Sequence, residues 1–172
     1  LIEMGFDDFD TLTEWVKNLP YQRISDKSNF ELIITENRGT CSSKHALLKQ
    51  IADLNGIPNV QLILGMYKMN EQNTPGIGQV LSKNGVAYIP EAHCYLKVAN
   101  QNVDVTSSTS NFDRIADHLL KEVEISPHDV SQFKITFHQN YLKNWLAESK
   151  SKFSYDEIWT LREQCISNLE SA

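Results

Sequence analysis

The sequence predicts an α+β fold in a single domain, and three observations lead there. Apolar residues recur at three- and four-residue steps in several segments, as on one face of a helix. Short apolar runs of strand length stand at 60–66, 92–98 and 103–106. The 172 residues, 41% of them hydrophobic, supply one sizeable core, and no repeat, low-complexity tract or linker divides 1–172 into two domains.

Taken in order, Phe9, Leu12, Trp15 and Val16 form the stripe of a helix over Asp7–Asn18, which Pro20 stops. Residues 21–40 read as a polar lead-in loop apart from Leu32-Ile33-Ile34, and end in the turn-prone Asn37-Arg38-Gly39-Thr40. Ala46, Leu47, Leu48, Ile51 and Leu54 mark a helix from Ser42 to Asn55, with Thr40 as N-cap and Gly56 and Pro58 as stop signals. Cys41 therefore stands at a helix N-terminus. After the strand at Val60–Met66, residues 68–85 are rich in Asn, Gly, Gln and Pro and read as a long surface loop, of the kind that often covers a binding site. Ala92–Val98 and Val103–Thr106 are expected to pair as a hairpin across Ala99-Asn100-Gln101-Asn102. Helices follow at Phe112–Glu122, Pro127–Glu148 and Ser154–Leu169. The second should bury Val130, Phe133, Phe137, Tyr141 and Trp145, and the third opens on a Ser154-x-x-Glu157 capping box.

Sixteen basic against twenty-two acidic residues give a net charge of −6 with no block of either sign, which argues against phosphate-rich partners such as nucleic acid. No stretch approaches the roughly 18 apolar residues that span a bilayer, so no membrane association is expected. Residues 1–20 lack the basic start and apolar centre of a signal peptide. Three scattered cysteines, Cys41, Cys94 and Cys165, make neither a disulfide framework nor a CxxC zinc site. A reducing, cytoplasmic setting is the expectation, and no cofactor is called for.

Cysteine acts as a nucleophile only as the thiolate, which the partial positive charge of a helix N-terminus and a nearby imidazole both favour. Cys41 has that place, and the unpaired amides of the helix start are suited to an oxyanion. His93, on a predicted strand, is the best-placed base, with Asp104 to orient it. Strand alternation puts Glu91, His93 and Tyr95 on one face and Ala92, Cys94 and Leu96 on the other. A hairpin turn centred between Ala99 and Asn100 sets Asp104 opposite Tyr95 and diagonal to His93. An odd loop would separate them.

The segments Gly39-Thr40-Cys41-Ser42-Ser43-Lys44-His45-Ala46-Leu47-Leu48, Gly56-Ile57-Pro58 and Leu64-Gly65-Met66-Tyr67, with His93-Cys94-Tyr95-Leu96-Lys97-Val98 and Asp104-Val105-Thr106, resemble the transglutaminase-like superfamily. The resemblance covers about residues 37–107. It implies a papain-like α+β core, a nucleophile-bearing helix packed on a small antiparallel sheet with extra C-terminal helices, and a catalytic Cys41, His93 and Asp104. Papain-like enzymes place a Gln six residues before the cysteine. Here that position is Thr35, leaving Asn37, Gln22 or the helix amides alone as oxyanion donors.

The expected activity is thiol hydrolysis or acyl transfer on a peptide, glutaminyl or smaller amide through an acyl-enzyme. The alternatives are a binding or scaffold domain without turnover, and a zinc site in which His45, four residues after Cys41, joins His93 and Asp104. Otherwise His45 is expected on the helix surface. His118, His128 and His138 are assigned surface or packing roles, Cys165 to the core, and Glu91 either to a solvated strand face or to the cleft.

Overall fold

The computed structural model describes residues 5–171. Asp8 caps α1 (Phe9–Asn18) by accepting a hydrogen bond from the Thr11 amide at 2.7 Å, and Leu12 and Val16 turn inward. The segment that follows is not the plain loop expected of it. Phe30–Leu32 forms a 3₁₀ turn that runs into α2 (Ile33–Glu36), and Tyr21 and Gly39 close the excursion with a parallel bridge. These turns are too short to be stable alone. Burial of Phe30 and Ile33 against the main core supplies what local propensity does not.

α3 (Cys41–Leu54) opens on a reciprocal box in which the Ser43 hydroxyl accepts from the Thr40 amide at 3.0 Å. Its buried side includes Ala46, Leu47, Leu48, Ile51 and Ala52, while Leu54, counted in the apolar stripe, lies in solvent. Beyond Gly56 come β1 (Val60–Met69), the single-turn α4 (Val80–Lys83), β2 (Ile89–Val98) and β3 (Gln101–Val103). β1 thus takes the first two residues of the expected surface loop, and α4 interrupts the rest. Ala99 and Asn100, with φ of 48° and 68°, make a two-residue turn that matches strand twist and pairs Val98 with Gln101 and Leu96 with Val103.

The helix expected at Phe112–Glu122 is replaced by one turn, α5 (Asp113–Ala116), and then β4 (Leu119–Ile125). Val123 and Ile125 alternate with Glu122 and Glu124, a period-2 pattern, and the free edge of β1 gives this segment a partner. The four-stranded sheet has the order β3-β2-β1-β4, with every neighbouring pair antiparallel. A 3₁₀ turn at Pro127–Val130 precedes α6 (Gln132–Ser149), and α7 (Tyr155–Glu170) starts at the Ser154–Glu157 capping box.

Strand alternation divides the core between the two sheet faces. Leu62, Leu64, Met66, Cys94 and Leu96 pack under α3, while Ile63, Tyr67, Met69 and Tyr95 meet Ile158, Leu161 and Cys165 of α7. α6 spans both clusters, so its aromatic stripe is shared out rather than buried. Phe137 and Tyr141 lean on the first cluster and Trp145 on the second, whereas Phe133 is 44% exposed and the fully enclosed residues are His138 and Leu142. At Gly65, which pairs with His93 across the ladder, a Cβ would stand 2.9 Å from Cε1 of Tyr95. The bare backbone lets that ring lie across β1 beneath the histidine.

Candidate active site

Three elements deliver the reactive groups to one place. The capping box fixes Cys41 at the first position of α3, β2 carries His93, and the chain leaving β3 carries Asp104. Extending the β2–β3 register by one step sets Asp104 opposite Tyr95, as the hairpin parity required. His93 donates from Nε2–H to Asp104 Oδ2 at 2.9 Å, and Asp104 Oδ1 accepts from the Thr106 amide at 2.9 Å. With Nε2 so engaged, Nδ1 is the ring nitrogen left for Cys41, which shares the cavity wall with His93. The ring stacks on Tyr95 at 6.2 Å between centroids and meets the edge of Tyr67 at 6.0 Å. Two aromatic walls therefore hold its orientation.

Charge is distributed as an ion pair. Burial pushes the Cys41 thiol up, but the Lys134 ammonium and the His93 imidazolium outweigh it and bring the group to about 6. Burial pulls His93 down, and the Asp104 carboxylate with the Cys41 thiolate raises it to about 10. Asp104 is held well below the ordinary carboxylate range, its burial being overcome by His93. Near neutral pH the proton has already passed from sulfur to imidazole. Burial raises Cys94 and Cys165 to about 11 each, so they stay as thiols.

His45 is fully buried, not on the helix surface. A carbonyl only accepts, so Nδ1–H donates to the Cys41 carbonyl at 2.7 Å, and Nε2 then accepts from the Val105 amide at 2.9 Å. Both nitrogens are committed, and the imidazole braces the start of α3 against the chain that leaves β3 at Val105. Among the described residues no group of three or more His, Cys, Asp or Glu side chains is arranged to hold a metal ion. Burial lowers His45 to about 4, so the folded chain binds fewer protons than the unfolded one between about 4 and 6.5, and stability must fall as pH drops through that window. The loss attributable to His45 between pH 7.5 and 5 is about 2 kcal/mol; burial lowers His138 in the same direction. His45→Gln, which keeps a donor and an acceptor but does not titrate, should recover His45's share when urea midpoints are compared at those two pH values.

Lys44 is also fully enclosed, donating to the carbonyls of Leu19 at 2.6 Å and Thr106 at 2.8 Å, both at the cleft wall. Burial lowers it to about 8 against the pull of Asp104. Glu91 belongs to the cleft rather than to a solvated face. It takes a two-pronged bond from Arg162 at 2.9 and 2.6 Å, and Arg162 also reaches Glu163 at 2.6 Å, which fastens α7 to β2.

Cys41 lies between two cavities. The larger, about 710 Å³, is lined by His93, Asp104, Tyr67, Thr106 and the 107–111 loop; the smaller, about 370 Å³, by Thr40, Ser42, Lys134, His138 and Arg162. Tyr21, Cys41, Glu91 and Ile166 border both. The Thr106 hydroxyl is buried without a partner among the described residues. Neither cavity is lined by Gln22, Thr35 or Asn37, so the side-chain oxyanion donors considered from sequence stand elsewhere.

Sequence reading missed Lys134, whose ammonium lies 2.6 Å from Ser42 Oγ and 3.6 Å from Cys41 Sγ. A lysine in the first turn of a helix 93 residues away carries no local signal of such a contact. Comparison of the chain with family models, with curated proteins and with solved structures finds no match.

Proposed function

We propose that this chain is a thiol enzyme that cleaves or transfers the acyl group of an amide, with Cys41 as nucleophile, His93 as proton carrier and Asp104 as its anchor. The observation that carries the reading is the convergence of Cys41, His93 and Asp104 on the wall of one cavity, with Nε2 of His93 tied to Asp104 at 2.9 Å. A helix opened by Cys41, followed in order by the strand that carries His93 and the chain leaving the next antiparallel strand with Asp104, supports a papain-like, transglutaminase-like core.

In the reaction the thiolate attacks the amide carbon and a C–S bond forms. His93 gives its proton to the departing nitrogen as the C–N bond breaks, leaving an acyl-Cys41 thioester and a neutral imidazole. That imidazole then takes a proton from water, which attacks the thioester, releases the acid and restores the pair. Hydrolysis needs only water here, so it is preferred to transamidation. The larger cavity accommodates a peptide, a glutaminyl side chain or a smaller amide, and the unpaired Thr106 hydroxyl gives an amide group a partner.

The test is alkylation by iodoacetamide from pH 5 to 11, followed cysteine by cysteine by mass spectrometry. Cys41 should titrate near 6 and react far ahead of Cys94 and Cys165. A Cys41 rate that rises only near 9, or that matches the other two, defeats the proposal. Given a reactive Cys41, turnover of a peptide or glutaminyl amide should lie in a window bounded by about 6, where the thiolate is lost, and about 10, where the imidazolium is lost.

A further inference from the structure

Resting on the reading of Cys41 as an acyl-transfer nucleophile, we propose that Lys134 is the oxyanion donor of this site. Its ammonium, with the backbone N–H groups of Cys41 and Ser42, would hold the carbonyl oxygen of a bound amide or ester as that oxygen gains negative charge.

Position is the first reason. Once carbon bonds to Cys41 Sγ, the new oxyanion lies within hydrogen-bond reach of donors that crowd the sulfur, and Lys134 Nζ is 3.6 Å from it. An ammonium has three N–H bonds; here one goes to Ser42 Oγ at 2.6 Å and one points at the Cys41 sulfur, and the oxyanion would take over the latter once that sulfur is acylated. The first amides of α3 have no intrahelical acceptor, and Cys41 and Ser42 both line the smaller cavity with Lys134.

The second reason is the division of the cleft. His93 and Asp104 line the larger cavity, whereas Lys134 and Ser42 line the smaller, with Cys41 between them. The leaving group must be on the His93 side to receive its proton. The carbonyl oxygen then falls on the Lys134 side, where no Gln22, Thr35 or Asn37 side chain is present to serve it.

Lys134 stays an ammonium and so donates rather than attacks. Burial pulls it down, but the Cys41 thiolate outweighs that and the group is raised.

p-Nitrophenyl acetate and iodoacetamide separate the roles. With the ester, thiolate attack forms the C–S bond and moves the carbonyl pair onto oxygen. That oxyanion collapses, and the C–O bond breaks to release p-nitrophenolate. Iodoacetamide alkylates by displacement of iodide and forms no oxyanion. Each variant's alkylation profile gives its thiolate fraction, and both rates are compared per thiolate.

Lys134→Met should cut acetylation of Cys41 by about 10²–10³-fold while alkylation per thiolate changes by no more than a few fold. Lys134→Arg should restore part of the loss, and Lys134→Gln supplies the same ratio if the methionine variant does not fold. Equal falls in the two raw rates, with acetylation per thiolate unchanged, would make Lys134 a holder of the thiolate only and overturn the proposal. An unchanged ratio, or acetyl found on Lys134 of the native protein, overturns it as well. A native Cys41 inert to both reagents overturns the thiol-enzyme reading itself, an outcome distinct from the others.

Discussion

His93→Ala should accumulate acetyl-Cys41 from p-nitrophenyl acetate, with hydrolysis of the thioester slowed by about 10²–10⁴-fold. In the proposed reaction the attacking water gives its proton to His93, which lines the same cavity as the sulfur that would carry the acyl group. The same change removes one of the two cations that hold Cys41 at about 6, so its alkylation midpoint should move upward, with Lys134 keeping part of the shift. Intact mass against time after rapid removal of the ester measures the first effect, and the alkylation profile the second. An acetyl group lost as fast from the variant as from the native chain would exclude His93 as the base. Asp104→Ala should have a related effect on the other limb: without its carboxylate the imidazolium of His93 titrates below about 10, and the active window narrows from the alkaline side.

Glu91→Ala should lower stability by about 3–5 kcal/mol, because it leaves the Arg162 guanidinium enclosed without its main counter-charge. The Glu91 and Arg162 side chains are 7% and 13% exposed, and the bidentate bond between them spans β2 and α7. Burial raises Glu91, but Arg162 and then His138 outweigh it and hold the carboxyl well below its ordinary range. The paired form is therefore the one that folds, and its contribution is lost as pH falls below the usual carboxylate range. A double variant with methionine at both positions should recover most of the loss, since it removes both charges together. Urea unfolding of the two single variants and the double variant closes the cycle. A cost below about 1 kcal/mol for Glu91→Ala would mean that water already screens the pair.

The elements that sequence determined are those whose signals are local. Thr40 as cap, the Gly56 stop, the apolar stripe of α3 and the Ser154–Glu157 box placed two helices to within a residue or two. The connection expected at Ala99–Asn102 is a two-residue turn at Ala99 and Asn100, and the strand expected at Val103–Thr106 is Gln101–Val103, yet both loop lengths are even, so hairpin parity brings Asp104 onto the His93 face either way. That is how Cys41, His93 and Asp104 were legible from residues 41–104.

Other elements depended on a partner. Leu119–Glu122 was expected to be the end of a helix, and the open edge of β1 instead takes Leu119–Ile125 as a strand. α6 was expected to bury one aromatic stripe, yet it lies across two clusters and hides His138 and Leu142 instead. His45, expected on a helix surface, is enclosed, and the chain just after Asp104 donates to it from the Val105 amide. Lys134 reaches Cys41 across 93 residues, and Arg162 reaches Glu91 across 71. Capping, turns and alternation act within a few residues and can be read along the chain. The desolvated charges that set the thiol's acidity come from distant segments, and only the tertiary fold brings them within Coulombic reach.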